Sequence, residues 1–448
     1  MMPIRRTFGT SAVLALLVAA TVAPRASASG FQLREQSPSA QGSAFAGVSA
    51  GGTDIGCMFF NAASLTRFQG TEIVGGLNVI KPSACLENAV ATRATALGGT
   101  AISGSPSPRD GGQQAVLPVL YAMWSLSPDL KLGFSLNSPF GLTSDYHEGW
   151  IGRYHALKST MTIVELAPNI AWRLSPSWSI GGAVVARHVD AELSNAVDFG
   201  AIGAAYHVPG SVPGGQDGVA RVKGQRWGLG YKLGVLFEPR TDLRFGAAYH
   251  SAIDFRLKGD VHYEGVPAAL ATKFQDSSAR PMANQAATAS LGAAWDATST
   301  LSLQAEAART FWSHFKDIRI SFASGQADSV TPEHWKDSWF YALGLTWRAG
   351  GPWTLRCGVA RDQTPTTDEF RTPRIPDASR TWVSVGAGYA FTRHLSADLA
   401  YSHLFAEHST LNLEAGSSPS DPDFFRGNLS GTYRNKVDIL SVQLRCTF

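Results

Sequence analysis

The chain has 448 residues, a net charge of +3 and only 16% charged residues. That balance is too even and too dilute for a nucleic-acid surface, so nucleic acid is not expected as a partner. A content of 45 Gly and 12 Trp suits a membrane barrel with aromatic girdles better than a soluble enzyme.

Arg5 and Arg6 precede an apolar run at 12–20 and the small-residue site Ala26-Ser27-Ala28. Charge, short apolar segment and A-x-A site in that order predict a secretory signal peptide over residues 1–28, cleaved after Ala28. The run is too short to span a bilayer as a helix, and no later segment approaches the required length. If such a chain enters a membrane, it does so as a closed barrel, the other structure in which every backbone polar group finds a partner.

Residues 29–68 are rich in Gly, Ala and Ser, with single aromatics spaced along them. Such a segment packs closely inside something else but cannot build a core alone. Residues 29–70 are therefore expected to be a plug, held in a transmembrane β-barrel formed by residues 71–448.

From residue 71 onward, segments of alternating apolar and polar residues recur. In the final one Leu440, Val442, Leu444, Cys446 and Phe448 share one face, and Ser441, Gln443, Arg445 and Thr447 share the other. One face suits lipid and the other a polar interior. Trp227, Leu229, Tyr231, Leu233, Val235 and Phe237 repeat the pattern, as do Trp339, Tyr341, Leu343, Leu345 and Trp347 with aromatics at both ends.

Strands are expected near 71–81, 113–127, 130–142, 159–174, 178–193, 221–238, 242–260, 284–295, 300–316, 336–348, 353–363, 380–391, 395–406 and 432–448, fourteen in all. An even number is what an antiparallel all-β barrel of one bacterial chain requires. Six tight connections, at 127–129, 175–177, 239–241, 296–300, 350–352 and 392–394, alternate with seven longer ones. The tight ones are expected on the periplasmic side and the long ones outside. A soluble sandwich gives no reason for that alternation.

In one long loop Val266, Leu270 and Phe274 fall at i, i+4 and i+8, the apolar stripe of a short helix, and another carries Ile202, Ala205, Tyr206 and Val208. Such residues either pack among themselves or offer an apolar landing surface outside the barrel. By parity, Glu165, Asn169, Lys232, Gln304, Glu306, Asp398, Gln443 and Arg445 face the lumen. A cation there can pair with a ligand carboxylate; alternatively these groups bind each other and the plug.

The cysteines, Cys57, Cys85, Cys357 and Cys446, lack C-x-x-C spacing. An exported protein can keep a disulfide, and only Cys57 and Cys85 are near in sequence; Cys446 falls on the lipid face. There is no H-E-x-x-H, G-x-S-x-G or P-loop, and the glycines of Gly228-Leu-Gly230-Tyr-Lys-Leu-Gly234 have the wrong spacing for a dinucleotide. His403 and His408 lack a ligand set. No catalytic residue, metal or cofactor is expected, and the protein is not expected to be an enzyme.

Gly30-Phe31-Gln32-Leu33, Phe59-Phe60-Asn61-Ala62-Ala63, Ser138-Pro139-Phe140-Gly141-Leu142, Trp150-Ile151-Gly152-Arg153-Tyr154-His155-Ala156, Trp335-Lys336-Asp337-Ser338-Trp339, Thr372-Pro373-Arg374-Ile375-Pro376-Asp377 and Ser379-Arg380-Thr381-Trp382 occur in this order. Together they resemble the FadL-type outer-membrane transporters of long-chain fatty acids and related hydrophobic compounds, a family with an aromatic-hydrocarbon branch. Where that family carries Asn-Pro-Ala in its plug, Asn61 is followed by Ala62.

The resemblance implies a plugged barrel of fourteen strands in the bacterial outer membrane, ligand entry among the external loops, and sideways exit at a kinked third strand. Asn137, Pro139, Phe140 and Gly141 lie at that kink; Pro139 cannot donate to a ladder and Gly141 tolerates a bend, although a proline can also simply end a strand. Phe31, Leu33, Phe59 and Phe60 are the plug residues expected to line the path, and the resemblance makes Phe31 the coupling between plug and kink. The expected function is passive, plug-gated lateral diffusion of long-chain fatty acids by a monomer, with outer-membrane lipid as its other partner. The alternatives are uptake of aromatic hydrocarbons, a general porin, or an outer-membrane lipid enzyme.

Overall fold

The computed structural model describes residues 30–106 and 110–448, so the expected signal peptide lies outside the described residues. The strands are β1 (Thr71–Thr92), β2 (Ala115–Ser125), β3 (Leu130–Asn137), β4 (Gly141–Asp145), β5 (Lys158–Arg173), β6 (Trp178–Asp198), β7 (Asp217–Arg240), β8 (Leu243–His250), β9 (Lys258–Glu264) and β10 (Ser277–Pro281). There follow β11 (Thr288–Asp296), β12 (Leu301–Thr310), β13 (Asp317–Phe322), β14 (Ser329–Pro332), β15 (Ser338–Arg348), β16 (Trp353–Asp362), β17 (Arg380–Ala390), β18 (Leu395–Ala406), β19 (Ser409–Leu413) and β20 (Asn428–Thr447). All belong to one sheet, closed where β1 pairs with β20 from Glu72↔Thr447 to Thr92↔Asn428.

The barrel has fourteen staves. Six of them consist of two segments, β3/β4, β8/β9, β10/β11, β12/β13, β14/β15 and β18/β19. The six tight connections stand where the turn residues predicted them.

Two bands of opposite polarity follow one another along the wall. In the first, Trp227, Leu229, Tyr231, Leu233 and Val235 of β7 are exposed while Lys232 and Leu236 point inward. Leu343, Trp347, Leu440, Val442 and Leu444 face outward at the same level, as alternation required. Nearer the long loops the pattern inverts: on the same β7, Lys223 and Gln225 are exposed while Val222 and Gly224 are buried. The lumen side of this second band thus carries apolar residues, alongside buried charges such as Arg374 beside Ser159 and Ser194, where a polar interior was expected.

Breaks in the staves build the apolar interior of this second band. Between β8 and β9, Ile253, Phe255 and Leu257 are buried and Ala252, Asp254 and Arg256 exposed. β7 pairs Lys232 with His250 but Gln225 with Lys258, so one extra residue has entered the stave between them. A one-residue slip transfers a side chain to the opposite face, and here it carries apolar residues from the lipid side into the lumen.

Residues 30–68 lie inside the barrel as a short helix, Pro38–Gln41, and three 3-10 turns, Val48–Ala50, Ile55–Phe59 and Ala62–Arg67. Small residues on both sides permit this. A Cβ on Gly246 would stand 1.8 Å from the Ser49 carbonyl oxygen, so only glycine lets the plug backbone approach β8 so closely. Polar groups seal the contact: the Ser49 amide donates to Glu306 Oε2 at 3.1 Å, and Gln443 Nε2 donates to Asp54 Oδ2 at 2.8 Å.

The turn at Ala62 forms without a proline. The Asn61 side chain caps it by accepting from Ala63 N–H at 3.0 Å, and its Nδ2 donates to Val235 O in the wall at 2.9 Å. No bridge links Cys57 and Cys85; all four cysteines are free thiols. The buried Cys57 donates to Asp54 O at 2.9 Å, and burial pushes its thiol up to about 11.

Candidate functional site

The wall has a break on its third stave. β2 pairs with β3 only from Leu120↔Leu136 to Ser125↔Lys131, whereas its pairing with β1 continues to Ile80↔Ala115. Residues 115–119 of β2 thus have a strand partner on one side only. Pro139 supplies the local reason, since it has no N–H for a ladder. β5 continues behind it with a shift in register, Glu165 facing Asn137 but Thr162 facing Gly141, so three residues, 138–140, stand opposite two. That is a bulge, and it turns the stave inward.

The plug occupies the inner side of this bulge as a short strand. Gln32 bridges Phe140 antiparallel, Leu33 N–H donates to Pro139 O at 2.8 Å, and Gly141 N–H donates to Phe31 O at 2.8 Å. Phe31, Leu33, Asn137, Pro139, Phe140 and Gly141 therefore meet in one place. Leu33 also joins the inward apolar residues of β2 beside the gap, Leu117 and Val119, in a single buried cluster.

Phe31 lies at the centre of an aromatic cage. Its ring centroid is 4.7 Å from that of Trp312, 5.6 Å from Phe315, 5.7 Å from Trp335 and 5.9 Å from Phe140. Phe31 is 1% exposed and Trp312 0%. Trp312 and Phe315 come from the break between β12 and β13, and Trp335 from the break between β14 and β15. Leu142, Met161, Leu257 and Ile375 extend the cage toward the long loops as an almost wholly apolar pocket. Such a pocket accepts hydrocarbon by dispersion and exclusion of water.

A charged cluster borders the cage. Glu165 accepts from Arg187 Nε at 2.7 Å and from Lys232 Nζ at 2.6 Å, while Arg187 Nη1 donates to Gln285 Oε1 at 2.7 Å. All three charged side chains are nearly fully buried, and together they carry two cations against one anion. The Arg187 guanidinium lies 5.2 Å from the Phe140 ring centroid, so the excess positive charge touches the cage wall.

The other expected site residues go elsewhere. Phe59 and Phe60 pack on each other at 5.0 Å in the plug cluster, separate from the cage; Phe59 meets it indirectly, with Lys232 Nζ 3.7 Å above its ring. Glu306 fastens the plug through Ser49, and Arg445 pairs with Glu72 at 2.8 Å near the tight turns. The loop that carries Ile202 forms a short α-helix, Phe199–Ala205, whereas in the loop that carries Val266, Leu270 and Phe274 the expected helix is reduced to a 3-10 turn, Ala268–Leu270. Leu270 is buried there, with Val266 and Phe274 half-covered against Phe199 and Ile202. These loops pack on one another.

Sequence reasoning missed Arg187, Trp312, Phe315 and Trp335 as members of the site. A local signal existed: Trp312, Phe315 and Trp335 stand next to Ser313, His314, Lys316, His334 and Lys336, where a lipid-facing strand would not place charge.

Known proteins resemble this chain in sequence and in fold. The family profile described as Outer membrane protein transport protein (OMPP1/FadL/TodX) matches residues 19–448. The "Long-chain fatty acid transport protein" of Escherichia coli K12 is 26% identical over 439 residues, covering 91% of this chain and 94% of that one. The "47 kDa outer membrane protein" of Pasteurella multocida is 27% identical, covering 88% and 91%. Among solved structures, a Pseudomonas aeruginosa FadL homologue superposes with a TM-score of 0.84 at 24% identity over 94% of this chain and 100% of that one. The Pseudomonas putida toluene transporter TodX gives 0.67 at 18% identity over 89% and 95%.

Proposed function

We propose, for a chain that belongs to the OMPP1/FadL/TodX family of outer-membrane transport proteins, that it moves long-chain fatty acids passively from outside into the outer membrane, through the opening beside β3. The family's members carry hydrophobic compounds across the bacterial outer membrane, and that general role holds here too.

The observation that carries the finer reading is the pairing of an apolar cage with buried excess positive charge. A fatty acid with about fifteen methylenes gains on the order of 12 kcal/mol on leaving water, so a water-filled pore offers it nothing. A cage that takes the acyl chain, with Arg187 and Lys232 beside it for the carboxylate, fits an amphiphile. A toluene-like ligand would need no such charge, and the names of the relatives at 26–27% identity favour the acid. From the cage the apolar inner face of β2 leads toward the opening, so release toward lipid avoids water. The half-buried cluster around Leu270 and Phe274 is the proposed first contact on the outside. No step in this sequence needs covalent chemistry, so the protein acts as a transporter and not as an enzyme.

The test is competitive binding of oleate and toluene to purified protein, together with uptake by cells. Lys232→Met should weaken oleate binding about tenfold, the loss of one charge-assisted contact, and leave toluene unaffected. Val at both Pro139 and Gly141, which restores ladder donors and β preference, should stop uptake while the barrel stays folded. Toluene displacing oleate at equal concentration would turn the assignment to hydrocarbons; undiminished uptake in the repaired strand would remove the lateral route, and steady ion conductance would make the protein a porin.

A further inference from the structure

Where β3 loses β2, a plug side chain takes the missing strand's place. Gln36, 0% exposed, donates from Nε2 to Ser138 O at 2.9 Å, and its Oε1 accepts from Ser138 N–H at 3.3 Å. That ring of two bonds to one residue's N–H and C=O is what an antiparallel neighbour would supply. The same Oε1 accepts from Asn137 Nδ2 at 3.2 Å, and the same Nε2 donates to Leu33 O at 3.1 Å. Both protons and both lone pairs of the carboxamide are thereby used.

The connection reaches back to the end of the β2–β3 ladder. The Tyr121 hydroxyl, from β2, donates to the Gln36 carbonyl and accepts from Asn137 Nδ2 at 2.6 Å. One plug residue thus ties β2 to β3 at the end of their ladder, where Tyr121 still faces Ser135 and the pairing is about to stop. In a dry interior, breaking one bond of such a set strands its other members, so the set opens together.

We propose that Gln36 is the latch of the wall opening, and that its carboxamide must let go of Ser138 before a ligand leaves sideways. The proposal rests on the lateral-release reading and names the residue that times the step. Gln36 is a positioning residue: it holds Leu33 and Phe31 against the bulge, and that brief strand fills the inner mouth of the gap.

Gln36→Met keeps the length of the side chain and removes all four of its bonds. Oleate affinity should stay within about threefold while uptake at saturating oleate rises, and amide exchange across residues 136–141 should accelerate about tenfold, the scale of one or two net hydrogen bonds, with exchange in β7 unchanged. Should Gln36→Met fail to fold, Gln36→Glu, which loses only the two donated bonds, gives the same readings. A second measurement closes the latch. Gln32 and Phe140 are a non-hydrogen-bonded antiparallel pair, a spacing suited to a disulfide. With the native thiols replaced by alanine, the Gln32→Cys/Phe140→Cys protein, whose reduced form already lacks one ring of the cage, should transport more slowly oxidised than reduced.

Unchanged uptake and exchange in the Gln36 variants would overturn the latch. So would lost affinity with no change in saturating rate, the mark of mere structural support, or equal transport by the oxidised and reduced disulfide forms. The strand repair at Pro139 and Gly141 separates the two failures: if repair stops uptake while the Gln36 variants change nothing, only the latch falls; if repair also changes nothing, the lateral route falls with it.

Discussion

The two ends of β7 face different solvents. From Trp227 to Phe237 the outward side chains are apolar and the lumen holds Lys232; from Asp217 to Gln225 the outward residues include Lys223 and Gln225, and the lumen side is Val222 and Gly224. The first half is a membrane strand, and the second follows the rule of a soluble protein, apolar inside and charged outside. His188 and Trp227, paired across β6 and β7 with rings 5.1 Å apart, mark the level where one gives way to the other. The cage around Phe31 shares one buried cluster with Ile253, Phe255 and Leu257 of the soluble-like collar, while Lys232, in the charged cluster bordering it, lies in the membrane band.

The sharpest way to break that division is to put one charge on one face of one strand at two heights. Leu233→Arg, in the lipid band, should cost about 2–4 kcal/mol of folding free energy in denaturant titrations in lipid, whereas Gln225→Arg should cost nothing measurable. Equal costs would mean that the lipid boundary is misplaced. A smaller effect tests the interior. Trp312→Ala should weaken oleate binding about tenfold, since each ring contact contributes about 0.5–1.5 kcal/mol, and outward-facing Trp347→Ala should leave binding unchanged by tryptophan-fluorescence titration.

The weakest lever is pH acting on the plug. Burial pushes the carboxyl of Glu35 up to about 7 from 4.5. A carboxyl raised in the folded state docks best when protonated, so plug docking should be strongest below about pH 4.5 and decline as pH rises through about 7. Limited proteolysis of residues 30–68 between pH 5 and 8 should follow that decline, and Glu35→Gln should flatten it.

Much of the barrel was legible because its signals are local: a period of two, turn residues, and tight connections alternating with long ones. The inward breaks were not. Phe245, Ala247, Tyr249, Ile253, Phe255 and Leu257 are all odd-numbered, so periodicity reads one continuous apolar face, yet the extra residue after His250 sends the first three to lipid and the last three to the lumen. Only pairing with β7 reveals the slip. Of the site, Phe31, Pro139, Phe140 and Gly141 could be named from a resemblance. Trp335 stands in a motif of the resemblance without a role, and Trp312 and Arg187 stand in none; the three lie on separate staves and become neighbours only when the cylinder closes. Gln36 escaped notice for the opposite reason, since a lone amide in a polar-looking stretch carries no pattern.

The barrel's seam adds a point about assembly. Thr71 N–H donates to Phe448 O at 3.3 Å and Phe448 N–H donates to Thr71 O at 2.8 Å, so the ring shuts immediately beside the point where the plug ends. The plug precedes every stave in the chain, yet the wall closes around it only where β20 meets β1. A segment of glycine, alanine and serine with scattered aromatics has little tendency to form aggregating strands. The composition that lets residues 30–68 fit against the wall also lets them wait safely for a wall to exist.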